Sequence, residues 1–218
     1  MTLRHALVFM VFALIPLGAL ADAEAVTADH GFIAGHPDMY WRAVGQEALA
    51  DGKARDAFDH FRKAARYADK PSQAIIAEML WTGNGVAKDR AAAYAWIDLA
   101  SERGYTKLIV VREKYWSELT PAERERAVTI GEDVYAEFGD SVAKPRMNAE
   151  LQRARTRVTG SRLGHVGSLR TAKGSNAGGT HPVMDLASFV GVVDGRELYA
   201  DKYWVPEQYW KWQDAMWK

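Results

Sequence analysis

One apolar pattern occurs twice in this chain, and its period leaves few folds open. Val44-Gly45 and Ala48-Leu49 superpose on Ile76-Ala77 and Leu80-Trp81 with an offset of 32. Ala57-Phe58, Phe61 and Ala64-Ala65 superpose on Ala93-Tyr94, Ile97 and Ala100-Ser101 with an offset of 36. The difference lengthens the turn of the second unit. Within each unit the apolar residues recur three and four apart, which puts them on one face of a helix. Two helices per unit and a period in the thirties describe a helical solenoid. One such pair cannot bury its own apolar face, so neighbouring pairs must stack.

Punctuation along the chain fits six helices. The first runs from Met39 to Ala50 and stops at Asp51-Gly52, a turn signal. The second carries Ala57, Phe58, Phe61, Ala64 and Ala65 on one face. Pro71 fits the first turn of a third, which Gly83-Asn84-Gly85 ends, because glycine and asparagine tolerate the left-handed backbone wanted there. Asp89 can cap a fourth helix with Ala93, Tyr94, Ile97 and Ala100, and Gly104 stops it. A fifth covers Thr106 to Trp116. The sixth starts at Thr120-Pro121-Ala122-Glu123, where threonine and glutamate can satisfy each other's free N–H groups, and it runs to Phe138.

The second unit resembles a known family. Ala74-Ile75-Ile76-Ala77-Glu78-Met79-Leu80-Trp81-Thr82-Gly83-Asn84-Gly85-Val86, then Lys88-Asp89, Ala93-Tyr94-Ala95-Trp96, Leu99-Ala100 and Gly104, is similar to a Sel-one-like repeat, a relative of the tetratricopeptide repeat with a longer glycine-bearing turn. The first unit resembles a plain tetratricopeptide unit. The resemblance covers residues 40–139 and implies a right-handed superhelix of αα-hairpins serving as a scaffold or adaptor for other proteins. It carries over no catalytic residue. The expected fold is thus all-α, a short superhelix of three αα-hairpins over residues 37–139. A small extension with a β-hairpin and a short aromatic helix follows at 183–218.

The first residues read as a targeting segment. Arg4 and His5 precede an apolar run from Ala6 to Ile15, Pro16 and Gly18 break it, and Ala19-Leu20-Ala21 or Ala21-Asp22-Ala23 offers small residues for cleavage. Residues 1–23 are therefore expected to be a secretory signal, placing the mature protein in the periplasm or outside the cell. The alternative is an uncleaved anchor in the inner membrane, for which the run is short. The chain has no cysteine, which excludes disulfides, thiolate metal sites and cysteine nucleophiles.

Charge sets off a middle segment. Residues 22–143 carry 15 Lys/Arg against 21 Asp/Glu, whereas residues 144–174 carry eight Lys/Arg and one acid, Glu150. Residues 140–182 are expected to be a basic linker and loop. Its bases either dock on the acidic helices or meet an anionic membrane. In an exported protein nucleic acid is not an expected partner. Gly160-Ser161-Arg162-Leu163-Gly164-His165-Val166-Gly167 could cradle an anion, or with His165, His181, Ser161 and Ser168 form a hydrolase site. It lacks both a strand–loop–helix setting and a nucleophile-elbow sequence. His165, His181 and Asp185, or His30 and His36, lack the spacing of familiar zinc motifs. No metal, cofactor or catalytic residue is expected.

Aromatics crowd the end. Tyr203, Trp204, Tyr209, Trp210, Trp212, Met216 and Trp217 fall within the last sixteen residues. They read as a cap over the open end of the solenoid, or as a platform for a protein or glycan. Phe189 to Val193, Asp194-Gly195 and Arg196 to Tyr199 could form a hairpin before them. Residues proposed to face a partner are Arg153, Arg155, Arg157, Arg162, Trp204, Trp210 and Trp212. Trp41, Arg42, Gln46 and Glu78 are candidates on the concave face. The expected role is protein binding in the cell envelope by a chain that is not an enzyme. Envelope attachment through the basic segment and aromatic tail is the alternative.

Overall fold

The computed structural model describes residues 30–158, 170–171, 193–194 and 200–217. Helices α1 (His30–Gly35) and α2 (Pro37–Ala50) meet at His36. There follow α3 (Ala54–Ala65), α4 (Lys70–Thr82), α5 (Arg90–Ala100), a 3₁₀ turn (Ser101–Arg103), α6 (Thr106–Glu118), α7 (Pro121–Phe138) and α8 (Asp140–Val158). A two-residue pair, β1 (Arg170–Thr171) with β2 (Val193–Asp194), precedes α9 (Asp201–Trp204) and α10 (Pro206–Trp217).

The fold is an all-α stack of helical hairpins. α2 packs on α3, α3 on α4, and α4 on α5. Short turns join each helix to the next, so neighbours run antiparallel. Caps set the boundaries. Asp69 accepts the Ser72 N–H at 3.0 Å and Asp89 accepts the Ala92 N–H at 3.0 Å. Thr120 and Glu123 form the reciprocal box that their spacing predicts. The shared core holds Ala57, Phe61, Ile76, Ala77, Met79, Ala93, Ile97 and Leu99, joined by Tyr115, Val134 and Phe138. Each large side chain taken out of water there contributes on the order of 2 kcal/mol.

The third pair departs from the first two. α7 lies chiefly against α5, and α6 touches α5 and the 3₁₀ turn. The apolar residues explain it. Ala127, Val134 and Phe138 give α7 one buried face, whereas α6 buries only Leu108 and Tyr115 and leaves Val110 64% exposed.

The long turn of the second unit is fixed by contact. Gly83 and Gly85 have φ of +81° and +74°. A β-carbon on Gly85 would lie 2.5 Å from the Ala54 carbonyl carbon at the start of α3. Backbone strain and a clash with backbone act together there. Gly85→Ala is expected to cost about 3 kcal/mol, while Gly52→Ala, also at positive φ but with open space around it, should cost about 1 kcal/mol. Chemical denaturation of the two variants checks the order.

Two expectations are corrected. Residues 140–158 are a helix and not a linker. Ala143, Met147, Leu151 and Ala154 are buried at helical spacing, so an apolar stripe runs through the basic segment. Asp194 pairs with Arg170 in a strand and does not form a hairpin turn; the remainder of that hairpin lies outside the described residues. The aromatic end packs against α1, α2 and α8, with Trp217 on the shared core. The signal segment at 1–23, the Gly160–Gly167 loop, Ser161, Arg162, His165, Ser168, His181 and Asp185 lie outside the described residues.

Candidate partner-binding surface

Two clusters of buried polar groups tie the C-terminal segment to the stack. The first centres on Lys70. Its position after Asp69 makes it the first residue of α4, and it is 1% exposed. Its ammonium pairs with Glu102, lies 3.2 Å from Asp140, and donates to Gln73 at 2.9 Å and to the Leu99 carbonyl at 3.1 Å. Arg103 donates to both oxygens of Asp140, at 2.7 and 2.9 Å, and to the Ala68 carbonyl at 3.0 Å. Burial pulls Lys70 below its ordinary range against the opposing carboxylates. Burial also works against charge on Asp140, but the Arg103 and Lys70 contacts outweigh it and hold the carboxyl well below the usual carboxylate range. Asp140 opens α8, so this cluster fixes α8 on the turns that join the helix pairs.

The second cluster joins α10 to α2. Tyr209 donates to Asp38 Oδ2, and Gln213 donates to the Tyr209 hydroxyl at 2.7 Å. Asp38 is 1% exposed, and its Oδ1 has no hydrogen-bond partner among the described residues. Burial first, then the neighbouring Asp69 carboxylate, push Asp38 up to about 7. Arg42 pairs with Asp69 at 2.6 Å. His36 sits where α1 meets α2, with its ring nitrogens 2.7 Å from the Phe32 carbonyl and 2.9 Å from the Tyr203 carbonyl. Burial draws it below the ordinary histidine range, against those two carbonyls. Both ring nitrogens face backbone carbonyls, and a neutral ring can donate to only one of the two.

Aromatic packing completes the closure. Phe32, Met39, Ala154, Tyr203 and Trp204 form one cluster, and Met147, Leu151 and Tyr209 form another beside Tyr67 and Trp212. Trp204 approaches α1 because residue 35 is glycine: a β-carbon there would stand 2.6 Å from the indole ring and 2.9 Å from Ala154 Cβ. Gly35→Val is expected to prise α9 from α1, at a cost of about 1–3 kcal/mol, and to red-shift tryptophan emission. Emission spectra with a denaturation curve check both.

The residues expected to face a partner therefore separate. Trp204 is 5% exposed and belongs to the closure. Trp212 stands against Tyr203 and Tyr209. Trp210 donates to Asn148 at 2.9 Å and lies beneath the Arg103 and Lys144 cations. Trp210 and Trp212 are half-buried and make these contacts within the chain. Arg153 is exposed and paired with Glu150, Arg155 is exposed one position beyond the buried Ala154, and Arg157 follows in the same helix.

Two further tryptophans, on α2 and α4, are half-buried in separate stacks. Trp41 of α2 stacks on His60, with the Lys63 ammonium 4.2 Å from a ring centroid. Trp81 of α4 stacks on Tyr115 of α6 at 3.9 Å, and the Arg90 guanidinium covers it at 4.5 Å. Both indoles are half-buried and held in place. Gln46 and Thr82 are exposed on the same two helices. Glu78 is half-buried, and burial raises its carboxyl against the opposing pull of Lys114. Arg42, the fourth concave-face candidate, is spent on Asp69. Sequence periodicity could name Trp41 and Glu78, but not the stacking partners that fix Trp41 and Trp81.

No protein-family model matches the chain, and no curated protein matches it. Among solved structures, it is similar to a protective antigen present in uropathogenic Escherichia coli strains displaying an SLR fold, at 21% identity and a TM-score of 0.43. That match covers 64% of this chain and 27% of the antigen, so the chain spans about a quarter of the antigen's length.

Proposed function

We propose that this chain is an exported scaffold or adaptor that binds another protein in the cell envelope through the face carrying Trp41, Gln46, Glu78 and Trp81. One observation carries the reading: two indoles on separate helices are half-exposed and already immobilised by stacking on His60 and Tyr115. Rigid aromatic side chains give contact area at low entropic cost, and such groups dominate binding energy at interfaces. A photoreactive residue at Gln46 or Thr82, with Glu132 on α7 as control, tests it in the native envelope. The reading expects one protein captured from positions 46 and 82 and not from 132, and expects that protein to bind again when purified. Identical adducts from all three positions, or none, contradict it.

A second reading is attachment to an anionic surface through α8. Gln152, Arg153, Arg155 and Thr156 are exposed while Leu151 and Ala154 are buried, so the end of α8 turns its bases outward. Sedimentation with anionic liposomes at low salt tests it. Loss of binding in an Arg153→Ala/Arg155→Ala/Arg157→Ala chain supports it, and no binding by the unaltered chain removes it.

A further inference from the structure

We propose that Asn84 is a self-modification site: in the folded chain the backbone nitrogen of Gly85 attacks the Asn84 side chain, and the turn between α4 and α5 converts from asparagine to aspartate and isoaspartate.

Both residues are exposed. The Asn84 N–H is held, donating to the Met79 carbonyl at 3.0 Å. The two groups that react are not held. Among the described residues the Asn84 carboxamide makes no hydrogen bond, and the Gly85 N–H donates to no acceptor. Most backbone N–H groups are spent on a carbonyl, and one left open to water is available for chemistry. The fold also keeps this nitrogen bare. Residue 85 has φ of +74°, and a β-carbon there would lie 2.5 Å from the Ala54 carbonyl carbon. Packing against α3 therefore demands glycine, the residue with no side chain to shield its own nitrogen. Asn148 is the contrast within the same chain. It stands inside α8 and accepts from Trp210 at 2.9 Å. The residue after it is Ala149, whose N–H belongs to the helix ladder.

The step needs only water as co-reactant. The Gly85 nitrogen bonds to Asn84 Cγ and gives up its proton. The Cγ–Nδ2 bond breaks, and ammonia leaves with that proton. The product is a cyclic imide, which water opens in either of two ways. Breaking the bond from nitrogen to Cγ leaves aspartate on an ordinary backbone. Breaking the bond from nitrogen to the α-carbonyl carbon leaves isoaspartate, whose main chain runs through Cβ and Cγ and is longer by a carbon. Both products carry a new carboxylate. The isoaspartate also lengthens a turn whose next residue is pressed against the start of α3, so it loosens the seam between the first and second helical units. The modification is thus an irreversible mark of the age of the molecule, written at a contact between repeats.

The full-length chain is aged in buffer near neutral pH and in mild alkali. The tryptic peptide of residues 67–88 is then followed by mass spectrometry, with electron-transfer fragmentation to tell isoaspartate from aspartate. Conversion at Asn84 is expected to run at least about tenfold faster than at Asn148, whose neighbouring N–H is bound. It should quicken with pH, because the attacking nitrogen must lose its proton, and Asn84→Gln should stop it. The isoaspartate form, separated by ion exchange, should melt below an Asn84→Asp chain, which has the charge without the longer backbone. The proposal is overturned if Asn84 stays intact in the folded chain while converting in the same chain unfolded in urea, since the fold then protects it. It is equally overturned if Asn84 and Asn148 convert at one rate, or if aspartate forms with no isoaspartate, since direct hydrolysis then replaces the cyclic route. An isoaspartate form that melts with Asn84→Asp overturns the loosened seam.

Discussion

Replacing Asp140 by alanine is expected to lower the thermal midpoint by on the order of 10 °C. Lys70 and Arg103 both spend their charge on this carboxylate, and Lys70 is 1% exposed. Without it Arg103 loses both of its carboxylate hydrogen bonds, and the ammonium keeps only Glu102 as a charged partner. Removing one member of a buried ion pair costs about 3–5 kcal/mol, and a chain of this size loses about 2–4 °C for each kcal/mol. Asp140 also begins α8, where a carboxylate favours the exposed N–H groups of the helix. Lys70→Met should cost distinctly less, because the Arg103–Asp140 pair survives and the methionine stem fills the same space. Calorimetry on the two variants measures both midpoints. Equal, small losses would mean that the cluster is solvated and holds nothing in place.

Acid should stabilise the closure between α10 and α2, and Asp38→Asn should remove the effect. The folded chain keeps a proton on Asp38 up to about pH 7, whereas the same group is lost near 3.8 in an unfolded chain. This contribution is present in full below pH 3.8 and disappears as the pH rises through 7. The charged and titratable groups facing Asp38 are Asp69 and Arg42, Tyr209 from α10, and His36, whose ring lies 5.4 Å from that of Tyr209. His36 is held below its ordinary range and titrates in the opposite sense, but it is common to both chains and cancels in the difference. Asparagine keeps the shape and an acceptor for Tyr209 but cannot ionise. Relative to the unaltered chain, the variant should gain on the order of 4 kcal/mol between pH 4 and pH 8. Urea denaturation across that range reads the difference, and parallel curves would place Asp38 in contact with water.

The helices that apolar spacing and caps define, from Met39 in α2 to the end of α7, are legible in the sequence because their signals are local. Thr120-Pro121-Ala122-Glu123 starts α7 where that pattern places it. What the sequence hid acts at long range. Lys70 looks like a turn lysine, and its partners stand 32 and 70 positions away. Asp38 and Tyr209 are 171 positions apart. No periodicity connects such groups, and a buried charge carries the same letter as a solvated one. α8 failed to stand out for a different reason. Its stripe of Ala143, Met147, Leu151 and Ala154 is regular, but the arginines between them dominate the composition, and Pro145 in its second turn reads as a breaker. The number of tail tryptophans fits either a cap or a platform. Gly35, whose bare backbone admits Trp204, was the signal that they pack inward.

The central claim is that the chain is closed, with its last helices docked on its first. Nuclear Overhauser contacts between ring protons test it most directly. Phe32 and Trp204 ring centroids lie 5.7 Å apart, and His36 and Trp204 centroids 4.8 Å apart. Cross-peaks linking Phe32 and His36 to Trp204 are the expected result. Tyr203 and Trp204 rings that show contacts only to their sequence neighbours, at the shifts of an unstructured chain, would contradict the account.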